Sequence, residues 1–242
     1  MRNSSKDWEK IDFDNAFLPG IAIDTVIIGF HANQLMVLLM RYKNTDIYGL
    51  PGGFVEKKES VNDAAHGVLK DRTGLHDIFL EQFYTFGDIN RHDISLFGGI
   101  FKGRGVKVSK DHFLLMRFIS ICYYALVDFT KAIPAADGLD ECKWHHLNNL
   151  PPLLQDHHQI IQKALFTLRE NLDKKLVYFN LLPGTFTMGE LQALYETILD
   201  KKLLRTSFQR KMLNLGILKK VGKKKGVAHR APYVYRFSAG RG

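Results

Sequence analysis

From Gly53 the chain reads Gly-Phe-Val-Glu-Lys-Lys-Glu, then seven residues, then Gly-Val-Leu-Lys-Asp-Arg-Thr-Gly-Leu, ending at Leu75. A helix that holds Mg²⁺ against a diphosphate needs carboxylates on one face, because magnesium takes oxygen ligands in near-octahedral geometry. Its work there is to polarise phosphoryl oxygens and activate water. Positions 68, 71 and 72 would share such a face, since residues three and four apart are neighbours on a helix. They hold Val68, Asp71 and Arg72. Val68 has no oxygen to offer, and Arg72 places a permanent positive charge where a dication would sit. Only Asp71 remains, so neither a catalytic residue, nor a bound metal, nor a cofactor is expected. An Arg in such a cleft can still pair with phosphate oxygens directly.

The elements that must position these residues follow from hydrophobic pattern. Ser60 and Asp63 form a capping pair, and Val61, Ala64, Ala65, Val68 and Leu69 form an apolar stripe closed by Gly74, which predicts a helix. Residues 20–30, rich in Ile and Val, predict a buried strand. A second strand over 34–41 follows the short turn His31-Ala32-Asn33. Residues 43–53 read as a loop, and 79–86 and 118–127 as further strands. Together these suit an α/β/α sandwich with a mixed sheet. Residues 94–116 carry Gly98, Gly99, Gly103 and Gly105 among Lys102, Arg104, Lys107, Lys110 and His112. Such a long segment reads as a solvated insertion, with an extended hairpin or a partner contact as alternatives. Residues 156–172 predict a helix with Asp156 as N-cap. Its seam of Ile161, Leu165, Leu168 and Leu172 suits either packing on its own domain or a dimer contact.

Composition narrows the class. At 242 residues with 45% hydrophobic content the chain suits an ordinary globular protein. No run of about 18 apolar residues exists to span a membrane, and the polar N-terminus lacks the core of a signal peptide. Cys122 and Cys142 are too few for a disulfide framework and fit a reducing, cytoplasmic location. The pairs His145-His146 and His157-His158 lack the spacing of a structural zinc site.

Charge is concentrated at one end. Residues 176–242 hold 13 Lys or Arg against 3 Asp or Glu, a net of +10 in a chain whose total is +9. A near-neutral module is thus joined to a basic one, the footprint of a polyanionic partner. Within that module, Thr187 and Glu190 form a capping box ahead of Leu191, Leu194, Tyr195 and Ile198. After a break at Asp200-Lys201-Lys202, Thr206 and Gln209 suggest a second capping box, with Phe208, Met212 and Leu215 inward and Gly216 as a left-handed stop. Strands over 217–221 and 233–237 flank a Gly-bounded basic loop. This is the pattern of a winged helix-turn-helix, whose second helix enters the major groove of double-stranded DNA. Arg205, Thr206, Ser207, Gln209 and Arg210 are the candidates to face bases, Arg suiting guanine and Gln adenine. Lys223, Lys224, Lys225 and Arg230 are the candidates to neutralise phosphates.

The segment 53–75 resembles a Nudix box, in which Gly, five residues, Glu and seven residues precede Arg-Glu, an apolar residue, any residue, Glu-Glu, any residue, Gly and an apolar residue. Gly53, Glu59, Leu69, Gly74 and Leu75 fall in register, while Gly67, Val68 and the Asp71-Arg72 pair replace the Arg, Glu and Glu-Glu. With residues 51–55, 59–65, 80–88, 120–126 and 179–183, nearly the whole chain resembles the Nudix-related transcriptional regulators. In these a degenerate Nudix domain, similar in fold to ADP-ribose pyrophosphatases, is fused to a C-terminal winged helix. The resemblance implies a homodimer on a palindromic operator, controlled by an effector that is ADP-ribose-like in some members and a sugar such as arabinose in others. It implies an effector domain over 1–155, a linker helix over 156–175 and a DNA-binding domain over 176–242. Arg41, Glu59, Asp71, Arg72, Arg91 and Arg117 are the expected effector residues. In the family a short turn precedes the strand that holds Arg117 and Ser120, and here residues 94–116 lengthen it. The competing expectations are a Nudix hydrolase cleaving a nucleoside diphosphate derivative and a DNA-binding protein whose Nudix domain only dimerises.

Overall fold

Apolar runs in the first part of the chain build a seven-stranded mixed sheet. The computed structural model describes residues 12–75, 78–91, 94–105, 107–109, 112–134, 140–173, 181–224, 226 and 231–238. After a short helix α1 (Phe13–Ala16), the strands are β1 (Phe17–His31), β2 (Gln34–Tyr42), β3 (Tyr48–Gly49), β4 (Gly52–Glu56), β5 (Leu80–Phe86), β6 (Ile119–Val127) and β7 (Asp140–His146). Their order is β3-β2-β1-β6-β5, with β4 also on β1 and β7 also on β2. Among the described strands of this sheet the central β1–β6 pair is parallel and the other strand pairs are antiparallel. The β1–β2 turn places Ala32 at φ 48° and Asn33 at φ 59°, the double positive φ whose twist matches a tight hairpin. The segment expected to be a loop over 43–53 contains β3 and the start of β4, and β7 is an addition to the expected strands.

Strand alternation sorts the core onto two faces. Val26, Ile28 and Tyr124 pack with Ile160, Ile161 and Ala164 of α4 (His157–Asn171). Ile27 packs with Leu69, and Ile23 with Ala64 and Ala65, all three from α2 (Val61–Thr73). The α/β/α sandwich expected from the pattern is present. Helix α2 starts where Ser60 accepts from the Asp63 N–H and stops at Gly74, φ 69°.

Residues 94–116 are not a solvated insertion. The described residues of this segment include α3 (Ile94–Arg104) and a short 3₁₀ turn, Phe113–Leu115. Phe101, Phe113 and Leu114 are buried together, with Phe54, Phe97 and Phe118 packed against them. A fully buried side chain of this size stabilises by about 1.5–3 kcal/mol, enough to outweigh the roughly 1 kcal/mol that each helical glycine costs.

The basic end folds as β8 (Phe186–Thr187), α5 (Met188–Leu199), α6 (Arg205–Asn214), β9 (Leu218–Lys223) and β10 (Tyr233–Phe237), with strand order β8-β10-β9. The Thr187–Glu190 capping box is formed, and Leu191, Leu194, Tyr195 and Ile198 are buried. Three local expectations are corrected. Helix α6 begins two residues earlier than the Thr206–Gln209 box requires, with Leu204 as N-cap and no side-chain cap. Leu215 is exposed, because α6 ends before its turn returns to the core. Asp156 gives no capping bond to α4, because its carboxylate is engaged by Arg91 instead.

The two modules share one apolar cluster that runs from Leu35 through Leu168 and Leu172 to Leu194. The α4 seam of Ile161, Leu165, Leu168 and Leu172 therefore packs within the chain. Polar ties reinforce the docking: Thr197 donates to the Asn33 carbonyl at 3.2 Å, and Arg169 Nε to the Ile198 carbonyl at 2.7 Å. Lys211 of α6 pairs with Asp173, just past the end of α4.

Candidate effector cleft and nucleic-acid interface

A cavity of about 230 Å³ opens between β1, β4, α2, α3 and the start of α4. Its floor exists because Gly52 has no side chain: a Cβ there would lie 2.6 Å from the Ile23 carbonyl and 2.8 Å from Asp24 Oδ1. Asp24 is the centre of a buried polar network. Ser120 donates to its Oδ2, Arg91 lies 3.8 Å from the same oxygen, and His157 Nε2 lies 3.6 Å from Oδ1. His157 Nδ1 accepts the Leu50 N–H at 2.9 Å, which leaves the ring proton on Nε2, facing Asp24. Burial lowers the His157 pKa, partly offset by the charges of Asp24 and Asp156.

Arg91 closes the network. Its Nε and Nη2 donate to the two Asp156 oxygens at 2.9 and 3.0 Å, a bidentate pair, and its Nη1 donates to the Phe118 carbonyl at 2.8 Å. Burial alone would lower the Arg91 pKa, but the bond to Asp156 and the charge of Asp24 raise it on balance. A second buried pair, Arg104 with Asp140, ties α3 to β7. Asp140 Oδ1 also accepts the Lys43 N–H at 3.1 Å. Tyr42 is pushed up by burial and then by the charges of Asp140 and Asp24, so it stays a neutral hydroxyl.

The expected effector residues divide. Asp71, Arg72 and Arg91 line the cleft. Glu59 Oε1 accepts the Glu56 N–H at 2.7 Å and closes the loop before α2. Arg41 is half exposed and lies 3.8 Å from Glu141 across the β2–β7 pair. Arg117 donates to the Gly87 carbonyl at 2.9 Å on the surface. Sequence reasoning missed Asp24, His157, Tyr42, Arg104 and Asp140. Asp24 did leave a signal, a lone carboxylate inside an apolar strand, which needs a buried partner.

The magnesium that a Nudix box normally holds does not fit these residues. Val68 is buried and its Cγ2 lies 3.2 Å from where a Gly53 Cβ would project, so an apolar methyl faces Gly53 where the first carboxylate ligand would be needed. Arg72 lines the cleft beside Asp71, and both are engaged within the fold. Among the described residues no group of three or more His, Cys, Asp or Glu is arranged to hold a metal ion. No cleavage step follows from this donor set.

At the other end of the molecule, Arg205, Thr206, Ser207, Gln209 and Arg210 are all exposed, in the first turns of α6. Phe208 and Met212 on the opposite side anchor the helix to the core. Lys223 and Lys224 stand at the end of β9, exposed, whereas Lys225 and Arg230 lie outside the described residues. Lys224 Nζ donates to Glu190 Oε1 at 3.1 Å, so part of its charge is already compensated. Burial would raise the Glu190 pKa, yet the Thr187 N–H and Lys224 together bring it below the usual carboxylate value. Lys220 and Lys223 both sit over the Tyr233 ring, and with Lys219 they extend the basic surface along β9.

These features define a class: a Nudix-type sandwich without its metal ligands, docked on a winged helix-turn-helix with a basic outer face. The comparisons agree. The NrtR DNA-binding winged helix domain family matches residues 178–237. The ADPR responsive transcriptional repressor NtrR of Acinetobacter baylyi is 27% identical over 238 residues, covering 96% of this chain and 86% of the relative. An ADP-ribose pyrophosphatase of Methanocaldococcus jannaschii is 31% identical over 147 residues, covering 60% of this chain and 72% of the relative. Shewanella oneidensis NrtR, in a crystal structure complexed with a 27mer DNA, superposes with a TM-score of 0.71 at 26% identity, covering 90% of this chain and 93% of that one. The chain belongs to the NrtR-type family of Nudix-related winged-helix transcriptional regulators. It is a DNA-binding, effector-responsive regulator, and no helix among the described residues is long and apolar enough to cross a membrane.

Proposed function

We propose that residues 1–155 sense a pentose-bearing small molecule in the cleft, residues 156–175 relay its binding, and residues 176–242 bind a palindromic operator as part of a homodimer. The observation that carries this reading is the single apolar cluster joining the sheet, α4 and α5. Helix α4 starts at the cleft, where Asp156 and His157 meet Arg91 and Asp24, and ends against the winged helix through Arg169 and Asp173. A shift at its start would move the DNA-reading helices. Such coupling requires only that the ligand bind the two arrangements with different affinity. In this reading Arg205, Thr206, Ser207, Gln209 and Arg210 face bases, while Lys223, Lys224, Lys225 and Arg230 neutralise phosphates.

ADP-ribose is the first effector candidate, because the Acinetobacter relative is named as responsive to it. Asp71, Arg72 and Arg91 are the cleft residues proposed to meet it. A free pentose is favoured as a second reading by the charge of the cleft. Asp24, Glu56, Asp71 and Asp140 line it along with Arg72, Arg91 and Arg104, and two of those guanidinium groups are held by buried carboxylates. That balance gives a diphosphate little net attraction and suits hydroxyl groups. Thermal-shift titration with ADP-ribose, L-arabinose and D-ribose separates the readings, since a ligand that binds only the native state raises the melting temperature. Phosphate-bond cleavage of ADP-ribose with Mg²⁺ or Mn²⁺, abolished by Glu59→Gln, would instead identify a hydrolase.

A further inference from the structure

The geometry points to Asp24 and His157 as a clamp for one ring hydroxyl of a pentose, whether free or the terminal ribose of a nucleoside diphosphate sugar. This assignment rests on the reading of the cleft as the effector site. Both side chains line the cavity, although they are only 12% and 5% exposed. Ser120 donates to Asp24 Oδ2, and the Leu50 N–H donates to His157 Nδ1. The remaining atom of each group, Asp24 Oδ1 and His157 Nε2, makes no hydrogen bond among the described residues. These two atoms stand 3.6 Å apart, beyond the roughly 2.7–3.2 Å of an N–H···O bond. A carboxylate oxygen and a ring N–H this deeply buried need a partner, and the cavity is where one can enter.

The pair is matched to one functional group. A carboxylate only accepts, and the Nε2–H of a neutral imidazole only donates. A hydroxyl does both: seated between them, it donates to Asp24 Oδ1 while its oxygen accepts from His157 Nε2. A phosphate oxygen or a carbonyl only accepts, so it would face the carboxylate with nothing to donate. In a nucleoside diphosphate sugar the terminal ribose is therefore directed to this end of the cleft and the phosphates away from it. Gly52 keeps the seat uncovered, since a Cβ there would lie 2.8 Å from Asp24 Oδ1. The two groups also belong to different elements, Asp24 to β1 and His157 to the first turn of α4. An occupant of the clamp thus ties the sheet to the helix that leads to the winged module.

The test is isothermal titration calorimetry of the full chain with L-arabinose, D-ribose and ADP-ribose, then with monodeoxy derivatives of whichever pentose is bound. Binding of a free sugar assigns the clamp to a free pentose, and binding of ADP-ribose alone assigns it to the ribose of a nucleotide. One monodeoxy derivative, lacking the clamped hydroxyl, should bind about 10–150-fold more weakly than its parent. In Asp24→Asn, where a neutral acceptor replaces a charged one, that penalty should shrink by about fivefold or more. A deoxy series with no weakened member, or a penalty that Asp24→Asn leaves unchanged, would overturn the clamp while leaving the effector site standing. Tighter binding of ADP-ribose by Asp24→Asn would also overturn it, because that places a phosphate against the carboxylate. If Asp24→Asn does not fold, nitrogen NMR of the wild-type His157 ring decides: the parent sugar should shift Nε2, and an unmoved resonance at saturation would overturn the clamp. No binding of any of the three ligands would instead overturn the effector reading on which the clamp rests.

Discussion

Replacing Arg91 with Met removes the cation that joins the cleft floor to α4. The side chains of Arg91 and Asp156 are only 5% and 10% exposed, and Asp24 lies 3.8 Å from the same guanidinium. The substitution leaves two buried carboxylates facing each other without their cation. It also orphans the Phe118 carbonyl, which now accepts at 2.8 Å. Breaking a buried ion pair by removing one partner costs about 3–5 kcal/mol. For a chain of this length 1 kcal/mol lowers the melting temperature by about 2–4 °C, so the variant should melt about 6–20 °C below the parent. Arg41→Met is the matched control: its pair with Glu141 is half exposed and 3.8 Å long, and such contacts contribute at most about 1 kcal/mol. Calorimetric melts at neutral pH decide the matter. An Arg91→Met shift no larger than that of the control would show that the network does not hold α4 to the sheet.

Gly52→Ala should destabilise by about 1–3 kcal/mol, because its Cβ would crowd the Ile23 carbonyl, backbone that cannot rotate away, as well as the Asp24 carboxylate; a denaturant midpoint equal to wild type would refute this. His157 should make stability fall in mild acid. Burial holds its pKa below the usual value of 6.5, so the unfolded chain takes up a proton that the folded form resists. Stability is then full above about pH 6.5 and is lost below it. The groups facing the ring are Asp24 of β1, Arg91 and Asp156, and urea midpoints between pH 5 and 8 for wild type and His157→Gln should show the variant with the shallower slope. Lys223→Ala should reduce the salt dependence of DNA binding by about one unit of log K per log salt. Lys224→Ala should reduce it less, since Lys224 is already paired with Glu190; equal slopes in anisotropy titrations would contradict that ranking.

The sandwich and the winged helix were legible because local signals and tertiary packing agree there. Ser60 and Gly74 end α2 as their residue types suggest, and Thr187 with Glu190 begins α5. Helix α3 was illegible because its glycines read as loop while Phe97 and Phe101 outweigh them through burial that no local pattern reveals. Strand β7 reads as polar, yet Asp140 and Cys142 turn inward, one to meet Arg104 and the other to join the core beneath Met40. Of the proposed cleft residues, Asp71 and Arg72 were found from helix spacing. The Asp24–Arg91–Asp156–His157 network was out of reach, because its members come from three separate segments that only the fold brings together. Arg91 was singled out, though the structure gives its guanidinium to Asp156.

The most direct test is the affinity of the full chain for the DNA upstream of its own gene, followed by fluorescence anisotropy with ADP-ribose or L-arabinose at fixed salt. One of these ligands should change the dissociation constant by about 5–150-fold, with binding in either state falling steeply as salt rises. DNA affinity unmoved by both ligands, alongside metal-dependent turnover of ADP-ribose, would contradict a regulator that senses through this cleft.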